Sequence, residues 1–410
     1  MNKHNPKDQK TVLVGMDGGL ESTVAAYLLK KQGLNVIGLG IIFHEYQYKS
    51  FRSWNPASLE DIKVMCDQME IPFYGTNVAS LFYSRVMEPV VSTKLAGEQF
   101  EAIIAWNKVL IETLLNKAEQ LNADFIATGH MAKVFKNQKN GVFSLLVPND
   151  IECDETYGLS RLSQKELGKL VFPLAEIKNS EVKKIANLLG LKFLKDNERT
   201  KKARKKFIYS HDFVDVVEKY SPASLRREGT VINYNDESTM GEHDGVHLYH
   251  LNQSDIQIKG HNQPDKSMHV IKIYPGKQLL YLDYIDKYYF THCRLMRFSH
   301  DPSMDLSKPQ KCYVQIKANG EKLGCTLYFK NNRSVVVEFD EEQKGLCPRG
   351  GYQVFYNKKA LGGKVIGSGV VRHSGYFDED NEFRTLKKSK IEQELTNDED
   401  AKRKINSFEL

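Results

Sequence analysis

The residues most suited to chemistry sit in a short loop near the start of the chain. A β-rich run, Thr11 to Met16, leads into Asp-Gly-Gly-Leu-Glu-Ser, and an apolar helix pattern follows as far as Gly33. A glycine-rich turn between strand and helix exposes backbone N–H groups at the positive end of a helix dipole, which makes it a phosphate cradle. The same glycines also suit a tight turn that merely packs the helix onto the strand, and the pattern alone admits both. Asp17, moreover, is a good helix N-cap that satisfies such N–H groups itself. A second chemical feature is the run Lys195, Arg199, Lys201, Lys202, Arg204, Lys205 and Lys206, seven basic residues within twelve. It is a solvated face or a strip that contacts phosphates.

Six cysteines, Cys66, Cys153, Cys293, Cys312, Cys325 and Cys347, are scattered without a CxxC or a His/Cys cluster at zinc spacing. That disfavours a disulfide scaffold and a structural zinc site, and no iron–sulfur cluster is expected. Cys66 reads as a core residue on a helix. Cys153, one residue before Asp154, reads as packing, with a substitute nucleophile as the minor alternative.

Regular alternation of strand and helix signals must position the loop. Asn35 to Phe43 reads as a second buried strand, Pro72 to Val78 as a third and Asp124 to His130 as a fourth. Ser58 to Asp61 is a capping box that opens a helix through Glu70, two helical stretches run to about Leu121, and Ser180 to Gly190 is a helix with a Ser cap and a Gly stop. The expectation is a parallel sheet covered on both faces. Beyond about Tyr220 the texture changes to short strand-like segments between turns: VHLYHL, HVIKIYP, QLLYLDYI, CYVQIK, GCTLYF, SVVVEF, YQVFYN and KVIGSGVV. They read as a small β-rich module and then a β-barrel or sandwich. From Phe377 onward charges of both signs dominate, as in a solvated helix or a disordered tail.

The chain's 410 residues exceed one ordinary core and suggest two or three domains. Its net charge of +6 allows a nucleic-acid partner without requiring one. The longest apolar stretch, Leu34 to Phe43, is half of what a bilayer span needs, and the first ten residues lack an apolar signal core. A cytoplasmic protein with no membrane partner is expected.

The segment VGMDGGLESTVAAYLLKKQGLNVIGLGI resembles the PP-loop of ATP pyrophosphatases, and more specifically that of the bacterial tRNA 2-thiouridylase family, MnmA. VMCDQMEIPFY, LNADFIATGHMAKV, DETYGLSRLSQKELGKLVFPLAEIKNSEVKKIANLLGL and GLCPRGGYQVFYNKKALGGKVIGSG agree in order, so the resemblance spans about Thr11 to Val371. It implies an α/β PP-loop domain of the adenine nucleotide alpha hydrolase-like kind over 1–205. A small central domain that binds tRNA over 206–280, a C-terminal β-barrel over 281–375 and a charged tail over 376–410 complete the division. It also implies ATP as cofactor, tRNA as partner, adenylation of the wobble uridine 2-oxygen, and sulfur delivery by a cysteine persulfide aided by a second cysteine.

Residue by residue, the resemblance is broken at the chemistry. The family's S-G-G-x-D-S loop keeps Gly18, Gly19 and Ser22, but its leading Ser is Asp17 and its Asp is Glu21. Gly15 precedes the loop, Gly129 matches a nucleotide contact, and Ile41 stands where a Met often lies near adenine. A carboxylate at 17 faces the pyrophosphate position, where two like charges at about 4 Å repel by roughly 4 kcal/mol at an effective dielectric near 20. ATP binding is therefore expected to be weak or absent. AGEQFEAIIAWN aligns without a gap to the first catalytic segment, placing Trp106 at the nucleophilic cysteine and Ile103 at the nearby acid. Ile103, Trp106, Leu110 and Leu114 recur at helical spacing, as in an ordinary amphipathic helix.

Lys206 stands at the second cysteine. The base-facing K-D-Q becomes Cys153, Asp154 and Glu155, and a barrel Arg-Tyr contact becomes Lys317 and Ala318. The family's Arg-Lys pair is missing from His250 to Gly260. The basic strip falls where the family covers the tRNA anticodon region, so Lys201, Lys202, Arg204, Lys205 and Lys206 become expected RNA contacts, together with Asp154, Glu155 and Lys317. The favoured reading is a degenerate homologue acting through RNA, without DNA specificity, or through a protein partner. The alternatives are an active thiouridylase using other residues, or a PP-loop enzyme that adenylates without sulfur transfer.

Overall fold

The structure, a computed structural model, describes residues 9–44, 58–190, 213–260, 263–329, 334–377 and 383–384. Strands β1 (Thr11–Met16), β2 (Asn35–Ile42), β3 (Phe73–Asn77), β4 (Phe125–Ala127) and β7 (Leu170–Val171) form a parallel sheet in the order β3-β2-β1-β4-β7. Alternation along β1 sorts the two faces. Val12, Val14 and Met16 pack against Ala26 and Leu29 of helix α1 (Leu20–Lys31) and Ile62 and Cys66 of α2 (Leu59–Gln68). Leu13 points the other way, into the core built on α5 (Ala102–Gln120). Covering both faces explains why these strands read as continuous apolar runs. The hairpin of β5 (Lys133–Lys136) and β6 (Phe143–Leu146) lies outside this sheet.

Local signals hold at several ends. Ser58 accepts the Asp61 N–H at 3.0 Å, and the Asp61 carboxylate accepts the Ser58 N–H, so the expected capping box forms. Gly190 ends α8 (Asn179–Leu189) in the left-handed region, at φ 61°, where glycine escapes the Cβ clash. The start of α8 differs from expectation. Its N-cap is Lys178, whose N–H is taken by the Glu181 carboxylate at 3.0 Å, and Ser180 lies inside the first turn. The first of the two expected helical stretches, Ala79 to Leu95, contains a π-helical turn at Tyr83–Met87.

A four-stranded sheet follows, β8 (Gly229–Asn233), β9 (Thr239–His243), β10 (Met268–Tyr274) and β11 (Leu279–Tyr284), ordered β10-β11-β8-β9. VHLYHL is not a strand: Val246–Leu248 is a 3-10 turn that buries Val246 and His247. Strands β12 (Tyr289–His300), β13 (Gln310–Gln315), β14 (Lys322–Phe329), β15 (Val335–Lys344), β16 (Tyr352–Tyr356) and β17 (Val365–Phe377) are antiparallel in the order β12-β15-β14-β13-β16-β17. Pairing of β12 with β17 closes them into a six-stranded barrel. Barrel residues Val354, Tyr356 and Val365 belong to the same core as Leu13, Trp106 and Leu114, so the barrel is packed directly on the N-terminal domain. In the tail, β17 continues to Phe377 and a two-residue strand, Phe383–Arg384, pairs with it.

Candidate functional site

The loop between β1 and α1 is built around Asp17. Its carboxylate accepts the Gly19 N–H at 2.9 Å and the Ser22 hydroxyl at 2.5 Å. Gly18 takes φ 76°, which turns the chain back so that a side chain two residues before the N-cap reaches these donors. The helix N-cap is Gly19, without a side-chain cap, so Asp17 holds the loop rather than occupying the capping position. Glu21 is in the first helical turn and partly exposed. Gly129 closes the loop from β4: a Cβ there would stand 2.5 Å from the Ser22 nitrogen and 2.6 Å from the Glu21 carbonyl carbon, so only glycine fits. The other two expected nucleotide contacts lie on the strands beside the loop. Gly15 lies within β1, where a Cβ would meet Leu114 at 3.2 Å, and Ile41 is buried in the α5 core.

Segment 96–107 enters α5. Trp106 is 5% exposed, with its ring 4.8 Å from Phe82 at 75° and 5.1 Å from Phe43 at 48°. Such edge-to-face and tilted pairs suit the ring quadrupoles. Ile103 packs partly buried on the same core, where a Cβ on Gly158 would stand 2.9 Å from it, and the Gly158 carbonyl accepts the Asn107 side chain at 3.0 Å. Just before the helix, Glu101 is buried beneath the barrel. Burial pushes its carboxyl up to about 8, and hydrogen bonds from the Tyr352 backbone, Tyr157 and Gln99 offset this only in part. A buried acid of this kind is neutral at pH 7.

Asp154 and Glu155 are brought close to this segment but are already engaged. Asp154 pairs with Lys322 of β14 at 2.8 Å, both side chains being about one-tenth exposed, and its other oxygen accepts the Thr156 N–H and hydroxyl. The Lys322 ammonium also lies 4.0 Å over the Tyr356 ring. Glu155 accepts the Met131 N–H at 2.8 Å and braces the strand end that carries Gly129. Lys317 is exposed on the β13–β14 turn. Lys201, Lys202, Arg204, Lys205 and Lys206 lie outside the described residues.

Lys322, Tyr356, Tyr157 and Glu101 escape a reading of local pattern. Each looks like a strand or loop residue until the barrel is laid on the first domain. Cys153 is partly exposed, and the other five cysteines are buried. Burial pushes the Cys66 thiol up to about 12. Among the described residues no group of three His, Cys, Asp or Glu could hold a metal ion, and no helix is long and apolar enough to cross a membrane.

Residues 10–202 match the family described as the tRNA methyl transferase HUP domain, and residues 290–371 match the aminomethyltransferase beta-barrel domain. The tRNA-specific 2-thiouridylase MnmA of Streptococcus agalactiae serotype III is 32% identical over 362 residues, covering 87% of this chain and 94% of that protein. The protein of the same name from Alkaliphilus oremlandii is 30% identical over 369 residues, with 88% and 98% covered. A parallel-sheet domain opening on a strand–GG–helix loop, a six-stranded barrel packed on it, and collinear identity over nearly the whole length of both relatives place this chain in the MnmA family of tRNA-specific 2-thiouridylases.

Proposed function

We infer that this chain is an RNA-binding member of the MnmA family that does not transfer sulfur. The observation that carries this reading is Trp106. Where the resemblance calls for a nucleophilic thiol, a buried indole is wedged between Phe43 and Phe82. An indole carries no sulfur and cannot form a persulfide. Ile103 supplies no acid at its position, and Lys206 no second thiol.

The loop is a poor fit to ATP in its present arrangement. Asp17 occupies the Gly19 N–H and the Ser22 hydroxyl, donors that a phosphate would need, and brings a negative charge with them. We therefore assign it weak ATP binding and route no chemical step through it. Basic residues Lys201 to Lys206, as an RNA strip, and a cytoplasmic location belong to the same reading. A protein partner without RNA is the alternative if tRNA does not bind.

The test is direct. The purified chain is incubated with ATP, a persulfide sulfur donor and unmodified tRNA, and the nucleosides are resolved by mass spectrometry. No 2-thiouridine above the protein-free control is expected. Thiolated wobble uridine that depends on this chain, in the absence of any cysteine-bearing homologue, would falsify the reading.

A further inference from the structure

A cluster of cations on the barrel's outer surface has no part in the loop or in the α5 segment. Where β12 pairs with β17, Arg294 stands opposite His373, while the next rung joins Leu295 to Val371. Arg372 is therefore the extra residue of a β-bulge. A bulge breaks the two-residue alternation and re-aims a side chain. Arg372 and His373 are accordingly both exposed, whereas Val371, Cys293 and Leu295 are buried in the barrel.

A third guanidinium joins from the loop before β16. The Gly350 N–H donates to the Val371 carbonyl at 2.9 Å and the Val371 N–H to the Gly351 carbonyl at 2.8 Å, which fastens Arg349 beside the bulge. Arg349 is 54% exposed and pairs with Glu98 through Nε at 3.0 Å, a contact that uses one of the five N–H donors of a guanidinium. Its carbonyl accepts the Gln99 N–H at 2.9 Å. The patch therefore adjoins the segment that runs into Trp106.

Although the residue is exposed overall, partial desolvation of its ring and then the nearby Arg372, Arg349 and Arg294 hold the His373 imidazole below its ordinary value. Such a concentration of basic side chains attracts an anionic backbone. Guanidinium forks match phosphate oxygens in pairs, which a lysine does not.

We propose that Arg349, Arg372 and His373 form a phosphate-binding patch on the barrel that holds an RNA backbone alongside the Glu98–Glu101 segment. The assignment rests on the RNA-binding reading above, and it adds a site that lies far in sequence from the Lys195–Lys206 strip.

The experiment measures binding of labelled bulk tRNA to the full chain by fluorescence anisotropy between 50 and 300 mM KCl, for the wild type and for Arg349→Gln/Arg372→Gln. Each lost phosphate contact should weaken binding about 5-fold near 0.15 M salt and flatten the log–log salt slope by about 0.9, so the double variant should lose about 30-fold and about 1.8 in slope. Arg349→Lys/Arg372→Lys keeps the charge and should retain most of the slope. Thermal melting checks that the variants fold. Arg372→Gln alone, at an exposed bulge position that leaves the Glu98 pair intact, should still lose about 5-fold. A folded double variant with wild-type affinity and slope overturns the patch while leaving RNA binding elsewhere standing. Failure of the wild type itself to bind tRNA overturns the broader reading together with this one. If poly-glutamate displaces the tRNA as well as an RNA competitor of equal charge does, the patch takes acidic protein and the assignment to RNA is wrong.

Discussion

Replacing Trp106 by alanine separates a core residue from a residue lining an open site. The indole is 5% exposed and packed against two aromatic rings in the core that joins α5, the parallel sheet and the barrel. Truncating a buried Trp to Ala costs about 3–5 kcal/mol, from lost transfer energy plus the cavity left behind. In a domain of this size each kcal/mol lowers Tm by about 2–4 °C, which predicts a fall of about 6–20 °C. Urea unfolding followed by far-UV circular dichroism, with a thermal scan in parallel, measures both quantities. Trp106→Phe keeps a ring between Phe43 and Phe82 and should lose less than half as much. An indole lining an open pocket would instead cost less than about 0.5 kcal/mol. A measured loss below about 1 kcal/mol would therefore refute the packing argument, and with it the claim that this position has been converted from chemistry to structure.

Three further outcomes follow from the same geometry. Asp17→Ser removes the carboxylate that holds the Gly19 N–H and Ser22 hydroxyl, and calorimetry should show ATP binding at least about tenfold tighter, a gain of about 1.4 kcal/mol; equal or weaker binding in the variant contradicts the assigned repulsion. Glu101, raised from 4.5 to about 8, is protonated in the fold while the unfolded chain is ionised. Its contribution is full below about 4.5 and declines by up to about 1.4 kcal/mol per pH unit as pH rises to about 8. Glu101→Gln should flatten that decline, and a pH–stability curve parallel to the wild type would show that the acid is not held neutral. Breaking the Asp154–Lys322 pair by Lys322→Met should cost about 3–5 kcal/mol, and Asp154→Asn/Lys322→Met less than the single change, because the uncompensated buried charge is gone; additive losses in a double-mutant cycle would mean that the two do not interact.

Much of the first domain is legible residue by residue, because its signals are local. Capping boxes, a left-handed glycine stop and strands apolar on both faces each depend on neighbours a few positions away. Ser58, Gly190 and β1 follow those rules. VHLYHL fails as a strand although its pattern alternates, since Val246 and His247 are buried in a 3-10 turn. Strand β12 passes unrecognised because Arg294, Arg297 and two histidines interrupt its apolar residues, and pairing with β15 and β17 decides its conformation. That position 106, where the resemblance calls for a cysteine, carries Trp is likewise visible in the sequence, because a residue's type needs no coordinates.

Tertiary structure decides what those residues meet. Asp154 and Lys322 are 168 positions apart, and only the seating of the barrel on the first domain makes them a buried pair. Glu101 looks like a surface carboxylate until Tyr352 covers it, and the resulting loss of water keeps it neutral. The arginine patch arises from two paired strands and a loop, with a bulge that overrides the alternation a single strand would show. Local chemistry thus determined the elements and the absence of a thiol at position 106. Burial and charge contact, which belong to residues distant in the chain, came only with the fold, because desolvation and Coulomb energy depend on separation in space rather than on order in sequence.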